Sequence, residues 1–343
     1  MKDLCSLTVF VALPLLAACS GRAVDLDHPT NATGGAGGAA PGVPELVIPD
    51  ETAVELTTDA ERLYWRTDTG YVRSCRKGDC ANSVVTYASE AGGTWSSATR
   101  FRNLGVSGNA IFWQSATPTF TVYSCPIEGC GGHATRVLVD EHAPYGFSTD
   151  TGYVYWSSAF DIYRCPASGC GHTPEVVAAR SKSSTQFEFE GDDVLWVDGG
   201  IWSAPKDGSH APTELVDVNT LSGADALAVN AAHLYWVDST GQIWQCPRTG
   251  CKKGEPPTLL VATDTSKWGF EVDASHLFWL EGLATTAGTA HYCALTGCAD
   301  SSSATPEGIY DFAIDDTSIY WSDADFSHSN FTGTNIHRML KPE

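Results

Sequence analysis

Between residues 45 and 343 short apolar runs alternate with polar residues at period two, no helix-period segment intervenes, and the runs recur at a long, regular interval. The clearest recurrence is an apolar-apolar-Trp triplet: Leu63-Tyr64-Trp65, Ile111-Phe112-Trp113, Val154-Tyr155-Trp156, Val194-Leu195-Trp196, Leu234-Tyr235-Trp236, Leu277-Phe278-Trp279 and Ile319-Tyr320-Trp321. Successive tryptophans stand 48, 43, 40, 40, 43 and 42 residues apart. Nine residues before each tryptophan stand Leu56, Leu104, Phe147, Phe187, Leu227, Phe270 and Phe312; seven before it stand Thr58, Val106, Thr149, Phe189, Val229, Val272 and Ile314. Side chains two apart on a strand share a face, so these columns predict one strand and the triplet a second, buried on both faces. Six before the tryptophan come Asp59, Ser107, Asp150, Glu190, Asn230, Asp273 and Asp315, mostly short polar residues suited to bonding nearby backbone in a turn.

Each unit continues with a variable loop, a β-branched and often aromatic segment such as Ile162-Tyr163-Arg164-Cys165, a turn, and a short run such as Glu175-Val176-Val177. Four strands per unit predict an all-β fold, a seven-bladed β-propeller. The seventh unit ends after its third strand, Asn335–Leu340. A spare strand precedes the first unit: Pro44-Glu45-Leu46-Val47-Ile48 resembles Thr213-Glu214-Leu215-Val216, the outer strand of the fourth. Closing the ring with this N-terminal strand removes an exposed edge.

Ten cysteines form five Cys-x4-Cys pairs at the turn after the third strand: Cys75 with Cys80, Cys125 with Cys130, Cys165 with Cys170, Cys246 with Cys251, and Cys293 with Cys298. The fourth unit has Ala204 and Ser209 at those positions, so both partners are absent together. Joint presence or absence predicts a disulfide within each hairpin, in an oxidising compartment. Zinc is the weaker reading, because it needs four ligands brought together and the turns of neighbouring blades stand apart. A ring this small removes little chain entropy, so each bridge contributes about 2 kcal/mol.

Lys2 precedes an apolar run, Leu4 to Ala18, too short to span a bilayer, and the run ends in Leu16-Ala17-Ala18-Cys19. This tetrapeptide resembles the bacterial lipobox. The resemblance implies a signal peptide over residues 1–18, cleavage after Ala18, and lipid on Cys19. Residues 20–44 are rich in Gly, Ala and Pro and read as a flexible tether, leaving 45–343 as the propeller domain. The expected location is the cell membrane or outer membrane, lipid-anchored, periplasmic or surface-exposed. With 41 acidic against 20 basic residues and a formal charge of -21, nucleic acid is excluded as a partner, since phosphate neutralisation needs basic clusters.

The Tyr-Trp strand, its turn Asp and the hydrophobic segment that follows resemble the YWTD propellers of lipoprotein-receptor ectodomains and related bacterial proteins. Residues 234–250, LYWVDSTGQIWQCPRTG, carry this resemblance most fully. Tyr-Trp-x-Asp itself occurs at Trp236/Asp238 and Trp321/Asp323, and the family has six blades where seven units are counted here. The resemblance implies a binding or scaffolding propeller and supplies no catalytic residue to transfer.

No nucleophile elbow, phosphate loop or zinc-protease motif is present. His291 and His337 fall in the column held elsewhere by Tyr123, Tyr163, Trp202 and Trp244 and read as packing residues. Paired carboxylates such as Asp323 and Asp325 lack calcium-loop spacing, so no cofactor or metal is expected, calcium being the one candidate. Glu188, Glu271 and Asp311 lie on innermost strands and would place negative charge near the axis. The reading is a non-enzymatic envelope lipoprotein that binds a protein or glycan. Its alternative is a propeller enzyme of hydrolase or lyase type with a loop-built site. Loop lengths vary most on the face bearing Glu90–Ala98, Leu280–Ala290 and Ser322–Thr334, which nominates Trp95, Phe326, His328 and Phe331 as contacts.

Overall fold

The computed structural model describes residues 42–88, 104–115, 120–140, 147–150, 152–158, 161–171, 173–179, 187–217, 224, 226–251, 255–262, 267–282, 288–298, 303–325 and 332–341. Among these residues the regular structure is twenty-seven strands and one 3-10 turn, Cys80–Asn82. After β1 (Glu45–Ile48) comes a sheet of β2 (Ala53–Thr58), β3 (Arg62–Thr67), β4 (Val72–Arg76) and β5 (Val85–Ala88). The second sheet is β6 (Leu104–Ser107), β7 (Ala110–Ser115), β8 (Phe120–Pro126) and β9 (Thr135–Asp140). The third is β10 (Phe147–Asp150), β11 (Tyr153–Ser157), β12 (Asp161–Pro166) and β13 (Glu175–Ala179). The fourth is β14 (Phe187–Glu190), β15 (Asp193–Val197), β16 (Gly200–Pro205) and β17 (Thr213–Asp217). The fifth is β18 (Ala226–Val229), β19 (His233–Val237), β20 (Ile243–Pro247) and β21 (Thr258–Val261). All pair as antiparallel neighbours in chain order, four strands to each sequence unit as the columns predict.

The last two units share one seven-stranded sheet. It contains β22 (Lys267–Val272), β23 (His276–Glu281), β24 (Gly288–Ala294), β25 (Ser303–Ile314), β26 (Ser318–Asp325) and β27 (Thr332–Leu340), with β1 at the far edge. β25 serves both units. Its first half pairs with β24, Glu307 opposite Thr289; its second half pairs with β26, Phe312 opposite Trp321. β1 pairs antiparallel with β27, Glu45 opposite Arg338 and Ile48 opposite Ile336, the pairing expected of the spare N-terminal strand. The innermost strands also meet across this seam, β2 lying against β25.

The Tyr-Trp motif has a simple physical role. Successive residues of a strand face opposite ways, so a second strand sandwiched between two sheets offers one side chain to each. Seven buried clusters result among the described residues, each joining consecutive units. The residue before the tryptophan in one unit shares a cluster with the tryptophan of the next: Tyr64 with Trp113, Phe112 with Trp156, Tyr155 with Trp196, Leu195 with Trp236, Tyr235 with Trp279, and Phe278 with Trp321. Tyr320 with Trp65 completes the series between the last unit and the first. Replacing one of these tryptophans by alanine would cost about 3–5 kcal/mol, since all are buried.

The five cysteine pairs are joined as expected, each within one turn. Cys75 is bonded to Cys80, Cys125 to Cys130, Cys165 to Cys170, Cys246 to Cys251 and Cys293 to Cys298, with Cα atoms 4.8–5.5 Å apart. The first cysteine of each pair is buried in the inter-unit cluster, where Ala204 and Met339 stand in the units that lack one. The second cysteine differs between units. Cys80 and Cys298 are buried in the same cluster as their partners, whereas Cys130, Cys170 and Cys251 are half-buried and pack against its edge. Each bridge therefore ties its turn to the joint with the neighbouring unit as well as closing the hairpin.

The turn also packs on the previous unit through its backbone. At Gly250 (φ +88°) an added Cβ would stand 2.1 Å from the Leu215 carbonyl oxygen of β17, so neither the backbone conformation nor the space admits a side chain.

Candidate functional site

The Asp column closes the turn between first and second strands as its chemistry predicts. Asp59 Oδ1 accepts from the amides of Glu61 and Arg62 at 2.8 and 2.7 Å; Asp273 and Asp315 repeat this, with Asn230 in their place in the fifth unit. The second carboxylate oxygen reaches out of its own unit. Lys77, in the first unit, donates to Asp315 Oδ2 of the last at 2.5 Å. Lys206 donates to Asp150 of the preceding unit, and Lys341 to Asp273 of the preceding unit. Each ammonium also stands over a ring: Lys77 over Tyr320 at 5.4 Å, Lys206 over Phe189 at 5.4 Å, and Lys341 over Phe278 at 4.8 Å. Burial pushes the carboxyls of Asp273 and Asp315 up, but hydrogen bonds from the lysines and turn amides outweigh it, leaving both below the ordinary aspartate value. Burial and the nearby Asp315 charge push Tyr320 up to about 12.

Next to these turns the first strands enclose a cavity of about 290 Å3, lined from β2, β10, β14, β18, β22 and β25. In six of the units the residue eight before the tryptophan lines it: Thr57, Ser148, Glu188, Ala228, Glu271 and Ala313. Glu188 and Glu271 thus share one lumen, as their position on innermost strands implied. Asp311 has another role, accepting from the Leu56 amide at 2.8 Å across the seam between last and first units. The same device recurs one joint on, where Glu55 accepts from the Leu104 amide at 3.0 Å. The bridged cysteines, Cys130, Cys251 and Cys298 included, stand at the third-strand turns and are not among the residues that line this cavity.

At the other end of the second strands, tryptophans stack on third-strand partners. Trp113 lies on Tyr123, Trp156 on Tyr163, Trp279 on His291 and Trp321 on His337, with centroids 5.5–6.0 Å apart. Both histidines are therefore packing residues. Acidic residues hold the polar edges. Glu281 accepts from Trp279 Nε1 at 3.0 Å and pairs with the buried Lys267 at 3.3 Å. Burial pushes Glu281 up; the Trp279 hydrogen bond and the Lys267 and His291 charges bring it below the ordinary glutamate value. Asp323, one of the two Tyr-Trp-x-Asp aspartates, accepts from the Asn335 amide and side chain and lies 3.1 Å from His337 Nε2. The other, Asp238, accepts from Thr240, Gln242 and Trp244, which fixes the hairpin and lowers its carboxyl despite burial. These aspartates are structural acceptors, and no group of three or more metal-ligating side chains occurs among the described residues.

The predicted contacts Trp95, Phe326, His328 and Phe331 lie outside the described residues, as does Cys19. The loops beside them are shorter than the sequence pattern implied. β26 runs to Asp325 and β27 starts at Thr332, so the segment between them is 326–331 rather than Ser322–Thr334. In the sixth unit the strands extend likewise to Glu281 and from Gly288. The lysine column was not singled out in the sequence; its signal is a lysine two residues after the third-strand Cys, Ala or Met position, at Lys77, Lys206 and Lys341.

Sheets with four strands each, innermost strands around a shared lumen and cores at consecutive joints find counterparts among solved structures. The WD40 β-propeller domain of Doa1 matches with a TM-score of 0.57 at 12% identity, covering 89% of this chain and 97% of that one. YCF48 bound to D1 peptide matches at 0.58 and 10%, with the same coverage of 89% and 97%. BamB from Moraxella catarrhalis matches at 0.52 and 11%, covering 85% and 86%. The fold is a β-propeller. At these identities the likeness concerns the propeller's architecture alone. No family model matches the propeller sequence, and no curated protein matches it.

Proposed function

We propose that this chain is a cell-envelope lipoprotein whose seven-bladed, YWTD-like propeller binds a protein or glycan ligand through its loops. The observation that carries this reading is the contrast between near-uniform, disulfide-pinned blades and unequal second-to-third-strand connections: two residues, Asp198 and Gly199, join Trp196's strand to the next, whereas six residues, 282–287 and 326–331, do so in each of the last two units. Variable connections on a rigid frame are where binding specificity is built. The similarly folded YCF48 is solved with a peptide bound, which supports a protein partner here. Counting the shared sheet as two blades is supported by the seven inter-unit clusters and the β1–β27 pairing. The anchor rests on Leu16-Ala17-Ala18-Cys19.

Two measurements test it. In detergent phase partition the native chain is expected in the detergent phase and Cys19→Ala in the aqueous phase; equal partition of both defeats the anchor. For binding, the full chain and a variant with 326–331 replaced by Asp-Gly are compared as bait for envelope proteins and on a glycan array. A ligand reproduced with purified components, and lost by at least ten-fold in the variant, supports the loop face. Equal binding by a variant with an unchanged melting temperature refutes it.

A further inference from the structure

We infer that the chain exchanges its N-terminal strand with a second copy of itself, β1 of each copy pairing with β27 of the other. β1 stands astride the seam: it lies in the last unit's sheet, yet the chain runs on from it into the first unit. Ile48 enters the cluster at that joint, among Leu56, Trp65, Tyr320 and Ile336. Four residues, 49–52, connect β1 to β2, and the last two are already fixed on the first unit. Glu51 accepts from Trp65 Nε1 at 2.5 Å and pairs with Arg73, while the Thr52 carbonyl accepts from the Asp68 amide at 3.1 Å. The hinge is therefore Pro49-Asp50 alone.

Asp50 closes this hinge under strain. Its φ is +56°, and it is the only non-glycine residue among the described residues with a left-handed backbone. Pro49 before it has its own φ locked, so the turn cannot be shared between the two. The closed hinge is held weakly: both residues are exposed, and the Asp50 amide reaches Asn335 Oδ1 at an exposed 3.3 Å. β1 is four residues long, its register on β27 shifts between Leu46 and Ile48, and Glu45 and Leu46 are exposed. Short hinges under strain favour exchange of the element they carry, since straightening the hinge removes the strain and the same contacts form again between copies. The receiving edge is built for this segment, which makes the partner a second copy. Arg338 takes Glu45 in a 3.5 Å ion pair and the joint takes the Ile48 side chain, so an open copy offers both the strand and the edge that fits it. From Ile48 to Glu51 an extended chain spans about 10 Å, which sets the two seams face to face about a two-fold axis.

Exchange is read by mixing two single variants of the full chain. Glu45 and Arg338 stand opposite one another on β1 and β27, within reach of a disulfide. A link between Glu45→Cys in one copy and Arg338→Cys in the other therefore reports β1 of the first lying on β27 of the second. The two chains are unfolded together in urea with native disulfides intact, refolded under mild oxidant, and analysed by non-reducing gel and peptide mapping. The expected product is a covalent dimer joined at positions 45 and 338. It should be at least ten-fold more abundant than the dimer from Glu45→Cys mixed with Val176→Cys, an exposed outer-strand position that reports random collision. Asp50→Gly in both chains accepts the left-handed backbone without strain and should lower the yield at least five-fold, whereas Asp50→Val should raise it. Three results each overturn the inference: no link between 45 and 338 in the mixed chains, a collision pair that links as well as the seam pair, or a yield unchanged by Asp50→Gly in chains that melt like the native one.

Discussion

Gly250→Ala isolates how closely one blade's turn rests on its neighbour. The glycine has φ +88°, and an alanine Cβ would lie 2.1 Å from the Leu215 carbonyl oxygen and 2.8 Å from its carbonyl carbon. Those atoms belong to the backbone of β17, so no rotamer change relieves the overlap and the turn must lift off the preceding sheet. Left-handed backbone costs about 1–2 kcal/mol for a residue with a Cβ. Overpacking against a fixed neighbour adds about 1–3 kcal/mol, giving about 2–5 kcal/mol in all. Gly152→Ala is the control. Its φ is +85°, yet nothing lies within 4 Å of the added carbon, so it should cost the backbone contribution alone, about 1–2 kcal/mol. Urea unfolding of both variants with disulfides intact, read by tryptophan fluorescence, measures the difference. Costs within about 0.5 kcal/mol of each other would show that the inter-blade contact is not tight, whatever the absolute values.

Further outcomes follow from the seam and the turns. Deleting residues 44–49 should strip the edge from β27 and expose Ile336, lowering stability by several kcal/mol, of which burial of Ile48 alone supplies about 2–4; a deletion variant with an unshifted denaturation midpoint contradicts the closure. Lys77→Met should cost about 1–3 kcal/mol at neutral pH, because the partly buried Asp315 loses its partner. Asp315 and Asp273 have folded-state values below their unfolded ones, so their contribution is full above the ordinary carboxyl range near pH 4 and falls away as pH drops through the folded values. Native-chain stability should therefore decline below about pH 4, and Asp315→Asn should flatten that decline; an equally steep loss in the variant would count against it. Non-reducing peptide mapping should give Cys165 linked to Cys170 and to no other cysteine, and likewise Cys130, Cys251 and Cys298 each linked only to the cysteine five residues before it.

The blades were legible because each tryptophan is held by two constraints at once, strand alternation within a unit and a repeated partner in the next. Tyr64 and Trp65 are adjacent in sequence yet serve different joints, and only a strand buried on both faces demands that pattern. The Asp turns were legible for a local reason, since Asp59 bonds amides two and three residues ahead. What escaped was non-local. Asp311 on an innermost strand reads as lumen charge, but its partner is the Leu56 amide, 255 residues away. Lys206 carries no signal of its own in the sequence, because its partner, Asp150, belongs to the previous unit. The loop lengths of the last units were overestimated because Ser322–Asp325 carries no apolar alternation to mark it as strand.

Ser303–Ile314 crosses from the rim of one blade to the hub of the next without leaving β structure. Among the described residues no other strand is shared between two units. The last two sequence units thus have a common spar, hydrogen-bonded on both sides, and Ile309 at its midpoint is buried and paired with β24 and β26 alike. Tilting one of these blades against the other would break backbone pairing, so opening motions of the ring must be borne by the other joints. A disturbance arriving at β1 would then travel through β27, β26 and β25 into β22 as through one plate, linking the point where the chain enters the domain to the sixth unit's wall of the axial cavity.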